Sequence, residues 1–210
     1  MTAGQLPPFL AADEWDDSLE ALEPSARCIA NAWALIDEWL DTNAKACLIT
    51  VELFRTWHEK LFRDVFPQFA GRFRNEDFPR EVHFGIHNAV GSRFVQDELQ
   101  RYEEVVHGLI RQLEAYPRDP KSDFNVQVVR AAAWSHAEFV RIHPFLNGNG
   151  RTGRLIIDYF AYRYDLEPAG LNRPSITGYI SALDFHMKYR QAEGLARYLL
   201  PLMVPASQKP

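Results

Sequence analysis

The chain has 210 residues, 47% of them hydrophobic and 24% charged, which is typical of one globular domain with a substantial core. Its net charge of −5 argues against a nucleic-acid partner, because binding a phosphate backbone requires a basic surface. Cys28 and Cys47 lack the spacing of a metal site or a disulfide framework, and neither a membrane-length apolar run nor a signal peptide is recognisable. We therefore expect a cytoplasmic protein with no membrane partner, and export by a route without a signal peptide is the alternative that the sequence leaves open.

The first residues differ in composition from the rest. Residues 1–24 contain three prolines and no apolar periodicity, and six acidic residues with no basic one lie between Asp13 and Glu23. They predict an acidic N-terminal arm followed by one domain over residues 25–205. The arm is either a solvated segment or one that docks a partner or inhibits the domain.

Apolar residues then recur at three- and four-residue spacing, which predicts helices. Ser25 is a candidate N-cap for the first, whose apolar face would comprise Ile29, Trp33, Ile36 and Leu40. Thr50 is the candidate cap of the second helix, which Pro67 is expected to stop. Further helices are predicted over residues 94–113, 126–142 and 155–164 and near residues 180–203.

One segment has a period of two instead. Val82, Phe84 and Ile86 alternate with polar residues and glycine, and glycines and a proline interrupt residues 67–92. This pattern predicts a short strand or hairpin. The fold class is therefore all-α with one small β-hairpin.

The most informative stretch is His143-Pro-Phe-Leu-Asn-Gly-Asn-Gly-Arg-Thr-Gly-Arg154, between two predicted helices. It combines a titratable base with a glycine-rich turn and two arginines. Such a turn exposes backbone N–H groups at the positive end of the following helix, which favours a phosphate. The Gly-x-Gly-x-x-Gly pattern within it is weak support for a dinucleotide fold, because that fingerprint needs a preceding strand.

The stretch resembles the signature of the Fic family, His-Pro-Phe-x-Asp/Glu-Gly-Asn-Gly-Arg-x-x-Arg, on a helix–loop–helix. Residues 66–74 and 81–86 are similar to that family's segment before the flap and to the flap itself. The resemblance implies a Fic-like helical bundle with a small β-hairpin flap. It also implies a protein adenylyltransferase, which uses Mg²⁺ and moves AMP from ATP to a Ser, Thr or Tyr hydroxyl of a target protein.

The resemblance further implies individual roles. His143 would be the general base, a role that suits the near-neutral pKa of histidine, and Phe145 would anchor the loop. The phosphates would be bound by Gly148, Asn149, Gly150, Arg151 and Arg154. The flap would align the target by strand addition through Glu81, Val82, His83, Phe84, Gly85 and Ile86. His136, two turns before the base, is expected to be a core or second-layer histidine.

Two positions depart from the family. Asn147 stands where an acidic residue usually helps to hold Mg²⁺, and its neutral amide oxygen predicts weakened or altered metal dependence. Glu193-Gly194 resembles the end of an inhibitory motif, but Tyr189 replaces the Ser or Thr that begins it. Glu193 is then either an inhibitory residue or an ordinary first-turn acid, and an inhibitory partner protein is equally compatible.

Two further functions remain open on the sequence. The loop could support transfer of another group, such as phosphate, a different nucleotide or phosphocholine, because a phosphate-binding turn does not specify what is attached. The chain could also be a catalytically silent nucleotide-binding or scaffold protein, which Asn147 makes plausible.

Overall fold

The computed structural model describes residues 30–38, 47–75, 79, 81–118, 122–169 and 176–204. The predicted acidic arm, the Ser25 cap and the last residues of the predicted domain lie outside these ranges. The limits of the arm and the domain therefore stay predictions.

Helices make up most of the described chain, and the two strands form a single hairpin. Residues 30–38 are helical, a 3₁₀ turn spans Ser92–Phe94, and a π-helical turn spans Ile176–Ile180. The remaining elements are α1 (Val51–Phe62), β1 (His83–Phe84), β2 (His87–Asn88), α2 (Val95–Glu114), α3 (Phe124–Ile142), α4 (Asn149–Arg163), α5 (Ser181–Tyr189) and α6 (Glu193–Met203). The predicted all-α class with a small hairpin is confirmed.

Helix α3 is the centre of the bundle and packs against α2, α4, α5 and α6. Its alanines allow this close approach, since Ala131, Ala132, Ala133 and Ala137 are all buried. At its C-terminal end, the ring of Phe139 lies 4.8 Å from that of Phe54 on α1. The end of α3 is thereby held rigidly in the core.

Helix α1 begins as predicted but ends early. The Thr50 side chain accepts a hydrogen bond from the Leu53 N–H at 3.1 Å, so the predicted cap is confirmed. The last helical residue is Phe62, and the chain then runs through turns to Gly71. The prediction that Pro67 stops the helix was wrong by several residues, because a turn in which the N–H groups of Val65 and Phe66 both donate to the oxygen of Phe62 follows the helix directly.

The predicted apolar face of the first helix was also partly wrong. Leu35 and Ile36 are buried, but Trp33 is 50% exposed. Leu35 and Trp33 are two residues apart and lie on nearly opposite sides of the helix. The buried face is therefore rotated away from Trp33 and towards Leu35, with Ile36 common to the predicted and the observed face.

The hairpin is shorter than its alternating pattern predicted. β1 and β2 are antiparallel, with His83 opposite Asn88 and Phe84 opposite His87. Gly85 and Ile86 form the turn between them, and Gly85 has φ +54, which glycine adopts without strain. Ile86 is therefore 91% exposed at the tip and does not continue a strand.

Among the described residues, none of the helices combines the length and the apolarity needed to cross a membrane.

Candidate active site

His143 occupies the turn that ends α3, in the left-handed conformation with φ 53 and ψ 57. Its ring Nδ1 lies 3.2 Å from the backbone oxygen of Val140. That oxygen would ordinarily accept from the N–H four residues on, but residue 144 is proline and has none. Because a carbonyl only accepts, Nδ1 carries the proton and Nε2 keeps its lone pair.

Arg74 holds the same helix end from the outside. Its guanidinium is fully buried and donates to the backbone oxygen of His143 through Nε at 2.9 Å and Nη2 at 2.6 Å. Nη2 also donates to the oxygens of Ile142 at 3.3 Å and Val90 at 2.9 Å. The oxygens of Ile142 and His143, which have no helical partner, are thus satisfied by one side chain that also joins them to the exit of the hairpin.

The electrostatics of this turn keep the base neutral. Burial lowers the pKa of His143 from 6.5 to about 3, and the positive charge of Arg74 acts in the same direction. Burial also lowers the pKa of Arg74 to about 10, opposed by the charge of Glu81, so Arg74 remains a cation at neutral pH. His143 can therefore accept a proton through Nε2.

The turn before α4 has the geometry of an anion site. Gly148 precedes the helix with φ 78, and a Cβ there would lie 2.5 Å from the ring of Phe62. The oxygen of Gly148 accepts from the N–H and hydroxyl of Thr152, which begins the helical ladder. The first N–H groups of α4, from Asn149 onwards, have no acceptor within the helix and lie at its positive end.

The side-chain amide oxygen of Asn147 points into this turn. Its Oδ1 accepts from the N–H of Gly148 at 2.6 Å, so the side chain covers the first donor of the predicted phosphate site. Across the described residues, no group of three or more His, Cys, Asp or Glu side chains is arranged to hold a metal ion. The protein therefore offers a divalent cation only a neutral amide oxygen at this position.

Asn149 contributes its side chain to the loop itself. Its Oδ1 accepts from the N–H of Phe145 at 2.8 Å, and its Nδ2 donates to the Phe145 oxygen at 2.9 Å. Phe145 is fully buried, and its segment forms a β-bridge with Phe73. The anchoring role predicted for Phe145 agrees with this burial, whereas the side-chain role of Asn149 was not predicted.

The two arginines of the loop lie near the start of α4 and have different neighbours. The guanidinium carbon of Arg151 is 5.9 Å from the centre of the Phe62 ring. A Cβ added to Gly150 would lie 3.5 Å from Nη1 of Arg154, which places that guanidinium beside the turn. Both cations are therefore adjacent to the first turn of α4.

A buried pair supports Arg154. Its positive charge acts on the hydroxyl of Tyr179, which lies 2.5 Å from Nε2 of His136. His136 is fully buried, and its burial lowers its pKa to about 3, so it is neutral. A Cβ at Gly153 would come within 2.9 Å of the His136 ring, which explains the glycine there. His136 is a core residue that holds the hydroxyl next to Arg154, in agreement with its predicted place.

The hairpin lies over the base. The ring of Phe84 stacks on that of His143, with 4.3 Å between centroids. Nε2 of His87 is 3.0 Å from the carboxylate of Asp184 on α5, and His83 contacts the side chain of Asn88 across the hairpin. Glu81, predicted as a flap residue, lies before β1 and accepts from the N–H and hydroxyl of Ser92 at 3.3 Å each.

Glu193 is not placed as an inhibitory residue would be. It lies in the first turn of α6, 46% exposed, and forms ion pairs with Arg130 at 3.3 Å and Arg197 at 3.7 Å. Among the described residues, the ion pairs of Glu193 are with these two arginines and not with Arg154 of the loop. The alternative reading, an acid that favours the start of a helix, matches its position.

His58 on α1 is the functional candidate that sequence reasoning missed. It is 3% exposed, and its ring stacks on Phe145 at 3.7 Å. Its two nitrogens contact the N–H of Gly71 and the backbone oxygen of Asn147. A polar residue next to Trp57 within an apolar helix face was the one available signal.

The site is therefore of one class. It lies in a helical bundle, where the central helix ends in a neutral histidine and the next turn binds an anion with the help of two arginines. A sequence profile of the Fic/DOC family matches residues 48–161, which is more than half of the chain. The chain belongs to the Fic/DOC family.

Curated relatives and solved structures agree with this assignment. The chain is 25% identical over 135 residues to protein adenylyltransferase fic-1 of Caenorhabditis elegans and 28% identical over 120 residues to protein adenylyltransferase Fic of Drosophila persimilis. These matches cover 64% and 57% of this chain, but 23% and 20% of the two relatives. The chain thus corresponds to less than a quarter of either relative.

The fold is shared with bacterial effector domains. The N-terminal Fic domain of Bep8 from Bartonella sp. 1-1C superposes with a TM-score of 0.66 at 15% identity, covering 90% of this chain and 88% of that one. BepC of Bartonella tribocorum, solved with bound AMPPNP, gives 0.63 at 16% identity and covers 88% of each chain. At these identities the likeness establishes the fold.

Proposed function

We propose that this chain is a protein adenylyltransferase that moves AMP from ATP to a hydroxyl of a target protein in the cytoplasm. The observation that carries the proposal is the state of His143. Its Nδ1 donates to the oxygen of Val140, which leaves the lone pair of Nε2 to accept a proton, and it stands directly before an anion-binding turn. The names of the curated relatives, and the AMPPNP bound by BepC, an analogue of ATP, support the same reaction.

In the proposed step, Nε2 of His143 takes the proton of the target hydroxyl. The hydroxyl oxygen forms a bond to the α-phosphorus of ATP, the bond from that phosphorus to the bridging oxygen breaks, and pyrophosphate leaves. A base with its proton-accepting nitrogen fixed in place suits this transfer. A neutral imidazole can take up that proton, whereas an imidazolium has no lone pair to accept it.

The phosphates would be held by the turn before α4. The N–H groups of Gly148, Asn149 and Gly150 would donate to phosphate oxygens, and the guanidiniums of Arg151 and Arg154 would neutralise their charge. Since Asn147 Oδ1 occupies the Gly148 N–H, binding would require this amide to turn away. The buried contact of Arg154 with Tyr179 would orient its guanidinium before the nucleotide arrives.

Mg²⁺ would enter with the nucleotide, as part of the MgATP substrate. The donor set fits this role and not that of a permanent metal centre, because the loop supplies one neutral amide oxygen and the phosphates supply charged ones. When bound, Mg²⁺ would neutralise phosphate charge. We propose that transfer depends less on Mg²⁺ than it would with an acidic residue at position 147.

The hairpin would receive the target. Its strands are two residues long and its tip is exposed, so an extended target segment could add alongside it through main-chain hydrogen bonds. Such pairing sets the register of the target without requiring one particular side chain. It would bring a Ser, Thr or Tyr to the edge of His143.

The proposal is tested with labelled ATP and a cell lysate, comparing wild type with His143→Ala. We expect transfer of the adenylyl label to a protein by the wild type, and a loss of about 10² to 10⁴-fold in the variant with ATP binding retained. ATP labelled on the γ-phosphate, other labelled nucleotides and a phosphocholine donor serve as parallel substrates. Label from one of these and not from the adenylyl group would point to another transferred group.

Asn147 favours one competing function, a silent nucleotide-binding protein. Its amide oxygen satisfies a donor that a phosphate would otherwise use, and it carries no charge for a metal. ATP binding measured by calorimetry, with transfer by the wild type no greater than that by His143→Ala, would establish this function in place of catalysis.

A further inference from the structure

His58 lies on α1, against the loop between α3 and α4, and is flanked by aromatic rings. Its ring is stacked on Phe145 with 3.7 Å between centroids and 16° between planes, and it lies 4.6 Å from the ring of Phe62. It does not belong to the motif that carries His143 and the arginines. A buried histidine in such a place needs partners for both nitrogens.

Both partners are backbone groups of different segments. Nδ1 accepts from the N–H of Gly71 at 2.9 Å, so the ring proton is on Nε2. Nε2 then donates to the backbone oxygen of Asn147 at 3.0 Å. Burial lowers the pKa of His58 to about 3, so the neutral ring keeps both bonds throughout the physiological range.

The bond to Asn147 sets the direction of the next N–H. A peptide unit is planar and trans, so the oxygen of Asn147 and the N–H of Gly148 point in opposite directions. With the oxygen held towards α1, the N–H must point away from α1, into the turn. There it donates to Oδ1 of Asn147 at 2.6 Å, which shows that an oxygen acceptor fits at that place.

The surroundings leave this peptide little room. Gly148 has φ 78, and a Cβ there would lie 2.5 Å from Phe62 and 3.2 Å from Nε2 of His58. A glycine can rotate through many backbone conformations, so the ring contacts alone do not choose between the two orientations of the peptide. The hydrogen bond from His58 does.

We infer that His58 is a positioning residue that holds the Asn147–Gly148 peptide so that the Gly148 N–H faces a phosphate oxygen of the nucleotide. The inference rests on the proposed function in taking the turn as the phosphate site. His58 acts through the backbone and touches neither nucleotide nor target. The loss of its Nε2 donor would free the peptide to turn and weaken phosphate binding more than turnover.

The test compares His58→Phe with His58→Gln. Phenylalanine keeps the stack on Phe145 and loses both hydrogen bonds, whereas the glutamine amide retains a donor near the position of Nε2. We expect His58→Phe to raise the Kd for MgATP and the KM about tenfold, the effect of one lost hydrogen bond, with kcat changed less than about threefold. His58→Gln should recover most of the affinity.

His107→Phe is the matched control. Nε2 of His107 also contacts a backbone oxygen, that of Ile49 at 2.6 Å, but at the start of α1 and away from the loop. His107→Phe should lower the melting temperature of the protein without changing its Kd for MgATP by more than about twofold. Wild-type affinity in His58→Phe, or equal losses in His58→Phe and His58→Gln, would overturn the inference.

A second measurement does not depend on nucleotide. Amide hydrogen exchange at Gly148, followed by NMR, should be faster in His58→Phe than in the wild type and unchanged in His107→Phe. If the wild type binds no MgATP, the proposed function fails, and this measurement still decides the role of His58. An unchanged exchange rate of the Gly148 amide in His58→Phe would then overturn the positioning role of His58.

Discussion

The rings of His143 and Phe84 lie parallel, with 5° between their planes and 4.3 Å between their centroids. One face of the base is thereby covered by the hairpin, while the edge that carries Nε2 is not part of the stack. A target hydroxyl would have to approach that edge in the plane of the ring. The contact links the segment proposed to bind the target with the residue proposed to activate it.

Removal of Phe84 should change the titration of His143. Phe84→Ala would admit water to the covered face, and because desolvation is the largest cause of the lowered pKa, the pKa should rise from about 3 towards 6.5. A lowered pKa means that His143 is protonated only below it, so the wild-type base stays neutral on acidification from about pH 7.5 to 5.5. An NMR titration of the imidazole measures this directly.

Phe185→Ala is the control for that titration, since Phe185 is a half-exposed aromatic residue on α5 that contacts Tyr189. It should leave the His143 titration unchanged. A pKa that is the same in Phe84→Ala as in the wild type would show that the stack does not desolvate the base.

Arg74→Lys should weaken both the fold and the site. Lysine keeps the charge but cannot reach the oxygens of Val90, Ile142 and His143 together, because it lacks the planar fork. Leaving buried carbonyls without donors should cost about 2 to 4 kcal/mol of unfolding free energy, measured by urea denaturation. Transfer should also fall, as the turn at His143 loses its support.

Arg101→Lys serves as the comparison for Arg74→Lys. Arg101 pairs with Glu98 on the surface of α2, where an exposed ion pair contributes less than about 1 kcal/mol. A similar loss of stability in the two variants would contradict the role assigned to the Arg74 guanidinium.

Asn147→Asp should strengthen the binding of Mg²⁺ at the site. The added carboxylate is a better ligand for Mg²⁺ than an amide oxygen, so the Mg²⁺ concentration that gives half-maximal transfer should decrease several-fold. Titration of transfer activity with Mg²⁺ at fixed ATP measures the change. Asn125→Asp, which adds the same charge in the first turn of α3, should have no such effect. If Asn147→Asp alters neither Mg²⁺ dependence nor rate, position 147 does not control the metal.

Glu193→Gln should not activate the protein. The carboxylate pairs with Arg130 and Arg197 on the surface, so its loss should cost less than about 1 kcal/mol and leave auto-modification at the wild-type level. Autoradiography of the purified variant measures auto-modification, with Arg130→Gln as the partner deletion. A marked increase in Glu193→Gln alone would restore the inhibitory interpretation.

Local patterns predicted much of this protein. The Thr50 cap, the helical class, the presence of a hairpin and the His143–Arg154 loop all depend on neighbouring residues, whose spacing carries the signal. The hairpin turn was the partial failure, because an alternating pattern does not show where a strand reverses. Gly85 and Ile86 continued the period of two and nevertheless form the turn.

The sequence by itself determined the helical class, the loop with its base and its glycines, and the substitution at Asn147. Only the tertiary structure showed what holds that loop: Arg74 reaches His143 across 69 residues, and His58 reaches Asn147 across 89. Tyr179 and His136 meet in the same way across 43 residues. These contacts have no local periodicity, since each depends on how separate helices pack, and an isolated arginine or histidine in a sequence does not indicate which distant backbone oxygen it will bind.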